Sequence, residues 1–399
     1  MSFIRRVTLR NYKSIASCKV DLQRLTFLVG PNGSGKSNFL DSLRFTSDAL
    51  RTSLEHALRE RGTIREVRRR SGGHPNHFAI RLDFDLPGGG SGHFSFRIGA
   101  KPSGGFEVQN EECKTVMPNG KLGSAHYHIQ AGEVVSSSAD ILPPRVSDRL
   151  FLVAAAGLPE FRPAYDALSR MAFYNLNPRE IGAMQKPDAG ERLSREGWNS
   201  ASVFAKLPET SQALISRYLG RIVHGISRVE AKALGSQETL EFFQAVKGQK
   251  HPWSFLAASM SDGTLRAFGV LLSLFQGRGR NGLAPLLVGI EEPEIALHPA
   301  AAGVLLGGLR EASNDMQVLV TSHSPDLLDD SAIPDDAILA VETRNGVTVI
   351  GAVDQAGRSA LRDHLFTAGE LLRQNQLTPD ESSLADVSDE RQLHLFELS

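Results

Sequence analysis

The 399-residue sequence has only two cysteines, Cys18 and Cys113, far apart and without metal-ligand spacing. That argues against a disulfide framework or a thiolate zinc site and suits reduced thiols. Long apolar runs are missing as well. None approaches the ~20 residues that span a bilayer, and the start, Met-Ser-Phe-Ile-Arg-Arg, lacks the apolar core of a signal peptide. A cytoplasmic protein without membrane contact is expected. Charge of one sign is also scarce: 44 Lys and Arg stand against 45 Asp and Glu, a formal net charge of −1. No global basic field advertises nucleic acid, so any DNA contact must come from a local basic groove. What is present is ordinary for a soluble globular chain, with 41% hydrophobic and 22% charged residues. The length admits two domains, or one domain carrying a large insertion.

Against that plain background one stretch stands out: Gly30-Pro31-Asn32-Gly33-Ser34-Gly35-Lys36-Ser37. It fits the G-x-x-x-x-G-K-[ST] phosphate-binding loop. Its glycines let the backbone turn successive N–H groups toward an anion, where a Cβ would forbid the conformation. Lys36 is placed to reach the β- and γ-phosphates, and the Ser37 hydroxyl to ligate Mg²⁺. The flanks agree. Leu25 to Val29 reads as a buried strand, and after the loop Phe39, Leu40 and Leu43 form one face of a helix beginning near Asn38. Phosphate would sit on the N-terminus of that helix. Binding of a nucleoside triphosphate is expected, with Gly30 to Asn38 as the contact segment.

Ile4 to Val29 reads as two or three strands, and Leu9-Arg10-Asn11-Tyr12-Lys13-Ser14 joins the first two. Arg65-Glu66-Val67-Arg68-Arg69-Arg70 is the densest positive cluster, either a solvated face or a phosphate-backbone contact. Phe78 to Leu86 and His93 to Ile98 alternate around Pro87-Gly88-Gly89-Gly90, which predicts a hairpin in an antiparallel layer. Past Ser136 the pattern turns helical, with Phe161, Tyr165, Leu168 and Ala172 as one stripe and Leu214, Ile215, Tyr218, Ile222 and Val223 as another. His126, His128, Asn175 and Asn177 invite a metal-nuclease reading, but they lack ligand spacing. Glu238 to Val246 and Trp253 to Ala258 read as strands. Ser261 is a plausible N-cap for a helix whose apolar face is Leu265, Phe268, Leu271, Leu272 and Phe275. Leu286 to Ile290 is a buried strand ending in Glu291-Glu292-Pro293-Glu294. Gln317 to Val320 is another, ending in Thr321-Ser322-His323-Ser324-Pro325. Ile338 to Val341 and Val347 to Ile350 suggest a hairpin around Asn345-Gly346. Leu361 to Leu372 suggests one helix, followed by an acidic, mobile tail.

The L-x-N-Y-K-S strand followed by G-P-N-G-S-G-K-S resembles the SMC/RecF-type branch of ABC ATPases. The I-E-E-P-E strand end resembles the Walker B segment of RecF-, OLD- and related AAA-family ATPases, and T-A-G-E-L near the end is common in that type. The resemblance implies ATP and Mg²⁺ as ligands. Glu291 would hold Mg²⁺, while Glu292 would orient and deprotonate the attacking water. His323, just past a strand end where ligands bind in open α/β sheets, resembles the switch histidine that meets the γ-phosphate. Ser261 and Gly263 resemble the ABC signature, which acts on the partner protomer, so a homodimer with nucleotide at its interface is implied. Lys13 is either a phosphate or base contact or a solvent-facing strand residue. Glu294, Leu297 and His298 would form a D-loop-like stretch at the dimer seam.

The implied fold class is α/β: a P-loop NTPase of ABC-ATPase type, with a mixed sheet, an antiparallel β layer and a mainly helical insertion. Residues 1–135 and 236–352 would build the head, 136–235 the insertion, and 353–399 a helix and tail. Two departures from the family pattern stand out. No coiled-coil arm is encoded, and no glutamine falls between Lys36 and Val108 to serve as the Q-loop residue. The resemblance leaves two loads open, double-stranded DNA in repair or recombination, or a separate effector protein gated by the ATPase as in antiphage defence. No TOPRIM nuclease is expected after Ile350.

Overall fold

The computed structural model describes residues 2–70, 75–117, 123–144, 149–279, 284–385 and 395–397. Its strands in chain order are β1 (Ile4–Tyr12), β2 (Ile15–Asp21), β3 (Leu25–Val29), β4 (His77–Leu86), β5 (Gly90–Ala100), β6 (Phe106–Val116), β7 (Ser124–Gln130) and β8 (Glu133–Ser137). There follow β9 (Ala172–Tyr174), β10 (Ile226–Leu234), β11 (Gln237–Gln244), β12 (Trp253–Leu256), β13 (Leu287–Glu291), β14 (Gln317–Ser322), β15 (Ile338–Arg344) and β16 (Val347–Ala352). The chain forms two compact units, one of Met1–Met171, Pro334–Leu365 and Gln374–Ser399, the other of Ala172–Ile333 and Phe366–Arg373. Among the described residues, no helix is long and apolar enough to cross a membrane.

In the first unit the strand order is β8-β7-β6-β5-β4-β1-β2-β16-β15-β3. Neighbours from β8 to β2 are antiparallel, while β2–β16 and β15–β3 are parallel, so an antiparallel layer runs into a mixed sheet. The expected hairpin is β4–β5, with Ile80 opposite Phe96. The helix Lys36–Arg51 buries Phe39, Leu40, Leu43 and Phe45. Phe45 meets Tyr12, Phe78 and Phe96 at centroid distances of 6.2, 5.3 and 6.2 Å.

Polar residues tie this unit together. Asp41, on the helix, accepts from Tyr12 Oη (2.9 Å), Lys13 Nζ (2.6 Å), Arg44 (3.0 Å) and Arg61 (3.0 Å). Burial works against its charge, but Arg61, Lys13 and Arg44 outweigh it and hold the carboxyl far below the usual carboxylate range. Glu111, 1% exposed, accepts from Tyr127 Oη at 2.8 Å and from the backbone N–H groups of Phe151 and Leu152 at 2.7 and 2.8 Å. Helix-start donors with no intrahelical partner are thereby satisfied by a side chain.

That contact shows why the expected insertion boundary at Ser136 differs from what forms. Residues 150–169 belong with the first unit, where Ser47 Oγ also donates to the Ser169 carbonyl at 3.2 Å and Tyr165 Oη to the Leu50 carbonyl at 3.3 Å. The helical stripe ends early as well: the helix is Arg162–Ser169, and Ala172 opens β9.

In the second unit β9, β13 and β14 are parallel, with Val288 opposite both Ala172 and Val318. A separate antiparallel sheet follows the order β10-β11-β12. The helix Asp262–Phe275 is buried on nearly every side, as expected of a core helix. It packs on Glu209–Ile222, where Tyr218 stacks on Phe275 at 5.7 Å.

The tail differs from the expected single helix. Gln355–Arg362 and Ala368–Arg373 are two helices. The second starts with a capping box: Glu370 N–H donates to Thr367 Oγ1 at 3.1 Å, and Thr367 N–H to Glu370 Oε2 at 2.8 Å. Residues 386–394 and 398–399, where a mobile tail was expected, lie outside the described residues. Of the rest, Leu395 is 4% exposed against Ala79, and Glu397 pairs with Arg81.

The Asp41 cluster generates a stability prediction. Replacing Asp41 with Ala removes one of the two carboxylates that hold the Arg61 guanidinium, whose side chain is 2% exposed, and the partner of Lys13 and Tyr12; it should cost about 3 kcal/mol in denaturant unfolding. Because the folded pKa is depressed, the native protein should hold this contribution above pH ~4 and lose it as pH falls further. The Asp41→Ala variant should lack that acid-dependent loss.

Candidate functional site

The phosphate loop connects β3 to the helix Lys36–Arg51 in the first unit. Gly35 sits at the helix N-cap with φ 101°, a conformation that L side chains rarely adopt. A Cβ there would also lie 2.0 Å from Thr348 Oγ1 on β16. Gly30 is equally tight, since a Cβ would fall 1.9 Å from the Val341 carbonyl oxygen. At Gly33 (φ 78°) a Cβ would meet nothing, which leaves that part of the backbone open to an approaching anion.

The loop is braced from outside by a directed hydrogen-bond chain. Asn38 Nδ2 donates to Ser14 Oγ (2.6 Å), Ser14 Oγ lies 2.7 Å from Thr348 Oγ1, and Thr348 donates to the Ser34 carbonyl (2.9 Å). Each hydroxyl has one proton, so the donation runs from Asn38 to Ser34. Asn38, read as a nucleotide contact, is thus placed with its amide on Ser14. Lys36 is 5% exposed, and its ammonium donates to the carbonyls of Gly30 (2.8 Å) and Pro31 (2.9 Å). Pro31, Asn32 and Ser37 are exposed, whereas the Ser34 hydroxyl is buried without a partner among the described residues. Lys13 is neither a free surface lysine nor a strand residue. It lies in the β1–β2 turn at φ 48°, with its ammonium on Asp41.

The second unit collects the acidic strand end, the expected switch histidine and the expected signature. β13 ends at Glu291, and Glu292 follows at φ 45°, a strained backbone for a non-glycine residue. Its N–H is held by the Thr321 carbonyl (3.0 Å) and Thr321 Oγ1 (3.2 Å). Its carboxylate Oε1 lies 3.1 Å from His323 Nδ1. Both side chains are about one-third exposed, His323 36% and Glu292 28%. Glu291 is held by Arg195 at 3.1 Å. The exposed Ser37 hydroxyl and the Glu291 carboxylate are hard oxygen donors of the kind Mg²⁺ takes.

Ser261 caps the helix Asp262–Phe275, accepting from Thr264 N–H at 3.3 Å, and is itself exposed. A Cβ on Gly263 would lie 2.3 Å from the Ala296 carbonyl oxygen, so the helix start packs against the loop after Glu292. Glu294, expected at a dimer seam, is 9% exposed and accepts from Ser322 Oγ at 2.6 Å. Burial raises its pKa above the ordinary carboxylate value, against the Ser322 bond. Only Ile295, Ala296 and His298 of that stretch are exposed.

Two positioning residues escaped the sequence reading. Arg266, 8% exposed, donates to the carbonyls of Leu176 (2.7 Å), Glu291 (3.1 Å) and Glu292 (3.1 Å). Its only sequence signal is a charge on the otherwise apolar helix after Ser261. Arg195 carries no such signal. The nuclease alternative finds no support: His128 bonds Asn110 at 3.0 Å, and Asn177 caps a short helix.

Residues 3–80 match the model of the AAA ATPase domain. Residues 143–329 match that of the AAA domain, putative AbiEii toxin, Type IV TA system. No curated protein matches the sequence. An SMC head solved bound to the C-winged helix domain of ScpA is 14% identical, covering 89% of this chain and 99% of that one at a TM-score of 0.54. An Smc head domain with an extended coiled coil, bound to the C-terminal domain of ScpA and derived from Pyrococcus furiosus, is 12% identical. It covers 92% of this chain and 100% of that one at a TM-score of 0.56. At these identities the likeness is one of fold. Two segments of the chain thus match AAA-type ATPase domains, and the fold is the ABC-type fold of an SMC head.

Proposed function

We propose that the chain hydrolyses ATP and forms a homodimer when ATP is bound. One observation carries the reading: Glu292, held in a left-handed backbone just past a core strand, has its carboxylate 3.1 Å from His323 Nδ1. A strained, tethered carboxylate beside an imidazole at a strand C-terminus is the arrangement of a general base with its orienting partner. Glu292 takes a proton from water as that water attacks the γ-phosphorus, and the bond to the β–γ bridging oxygen breaks, leaving ADP and inorganic phosphate. Lys36 and the loop N–H groups carry the triphosphate, and His323 meets the γ-phosphate. Ser37 and Glu291 would hold Mg²⁺, which when bound neutralises phosphate charge. Exposure of Ser261 at the N-terminus of a 14-residue helix supports its action, with Gly263, on the ATP of a partner protomer.

For the load we favour double-stranded DNA, supported by the basic Arg65–Arg70 segment, whose Arg69 N–H bonds the Asn11 carbonyl at 2.8 Å beside the loop-bracing turn. A second reading, an ATPase switch gating a separate effector, draws on the match of residues 143–329 to a putative toxin domain.

Glu292→Gln should lower turnover by roughly a hundredfold or more while ATP-bound dimers accumulate in size-exclusion chromatography. An unchanged rate removes Glu292 from the chemistry. Native turnover measured with and without double-stranded DNA, with this variant as blank, separates the loads: stimulation supports DNA, and indifference supports the effector switch. Gly35→Ala tests the loop by itself. Its added Cβ meets Thr348 and its φ is unfavourable, so ATP affinity in calorimetry should fall at least about tenfold. Unaltered binding would mean the loop is not the phosphate site.

A further inference from the structure

We propose that the first unit carries a second ligand site, for a nucleoside phosphate, in the cleft between segment 55–68 and the turn joining β5 to β6. The cavity is about 730 Å³, within the range of small-molecule sites. Four cations line it, Arg59, Arg65, Arg68 and Lys101, against one acid, Glu55. In a chain of formal charge −1 that imbalance is local and large. The side chains of Arg59, Arg65 and Lys101 make no ion pair or hydrogen bond among the described residues, and Arg68 Nε is buried without a partner. Arg59, Arg65 and Lys101 are therefore not spent on the fold, whereas Arg68 gives one N–H to the Pro75 carbonyl at 2.5 Å and Arg61 is held by Asp41 and Asp48 at 3.0 Å.

The floor says what else the ligand carries. Leu58 and Ile64 are 3% and 6% exposed, and Phe106 closes the same cleft. Guanidinium forks match phosphate oxygens, and an apolar, partly aromatic floor takes a flat ring. Inorganic phosphate alone would leave that floor uncovered. Phosphate joined to a base satisfies both halves of the cleft. At Gly104 and Gly105, in the facing turn, an added Cβ would meet nothing, so bare backbone borders the cavity there.

The cleft wall is also wired to the phosphate loop. Val67 O accepts from Lys13 N–H at 2.7 Å, Lys13 binds Asp41, and Arg61 binds the same carboxylate. Ligand held by Arg59 and Arg65 thus bears on the helix that starts at Lys36.

Because the phosphate loop itself binds nucleotide, the test uses the full chain carrying Lys36→Ala. Fluorescently labelled ADP and a short labelled oligothymidylate are titrated separately, following anisotropy. Labelled ADP should bind this variant, with affinity falling as salt rises. Adding Arg59→Glu with Arg65→Glu should weaken it at least about tenfold, and Lys101→Glu, on the opposite wall, should do the same. All three side chains are exposed, and unchanged circular dichroism checks the fold. Oligothymidylate binding with the same dependence, and none for ADP, assigns the same chemistry to a strand end. No binding of either probe, or binding indifferent to these charge reversals, overturns the proposal. The outcome is independent of hydrolysis, which the Glu292→Gln comparison reads separately.

Discussion

The buried carboxylate of Asp41 is the constraint on which the first unit depends. Three segments deliver cations or a hydroxyl to it: Tyr12 at the end of β1 with Lys13 in the turn that follows, Arg44 from its own helix, and Arg61 from the segment beyond. Desolvating one carboxylate and several cations is unfavourable unless every polar atom finds a partner. Here the carboxylate accepts from four groups, so the charged form is retained despite burial. The consequence reaches the phosphate loop. Fixing the β1–β2 turn fixes Ser14, and Ser14 stands in the hydrogen-bond chain that runs from Asn38 through Thr348 to the Ser34 carbonyl. The loop conformation is thus imposed from its surroundings as well as by its glycines.

The second unit solves a related problem with a single arginine. Two adjacent glutamates at a strand end repel each other, and one of them sits at an unfavourable φ. Arg266 binds their backbone carbonyls rather than their carboxylates. That choice stabilises the turn and brings a positive charge close, while leaving the carboxylate of Glu292 with His323. The Glu291 carboxylate is taken instead by a different guanidinium, that of Arg195 at 3.1 Å. Arg266 lies one turn into the helix that Ser261 caps, so the position of that helix and the conformation of the Glu291–Glu292 turn are mechanically one element.

Much of this was legible in the sequence because the decisive signals are local. A strand, eight loop residues and a helix face with Phe39, Leu40 and Leu43 occupy consecutive positions, and those three side chains are buried as the spacing implies. The strand ends at Glu291 and His323 were legible for the same reason. What escaped depends on distant partners. β6 contains Glu111 and Glu112, which look like surface residues, yet Tyr127, two backbone N–H groups and His93 pair with them inside the sheet. The segment around Phe151 looked like the start of an insertion because nothing local reveals that Glu111 caps it. The acidic C-terminal stretch hid Leu395 and Phe396, which pack against Ala79 and Arg97.

Charge shows the same limit most sharply. Composition gives nearly equal numbers of acids and bases, which excludes a global field but says nothing about where pairing fails. Pairing is decided by the fold. Arg278, Arg310 and Arg373 each meet an acid on a neighbouring element, and such cations are silent toward an external anion. Arg59, Arg65 and Lys101 meet none among the described residues and converge on one cleft. Within the Arg65–Arg70 cluster itself, Arg70 is neutralised by Glu66 and Arg68 donates to a carbonyl. The run of arginines therefore overstates the charge available along the chain. Arg59 and Lys101, scattered in sequence, restore it at a place that only the folded structure defines.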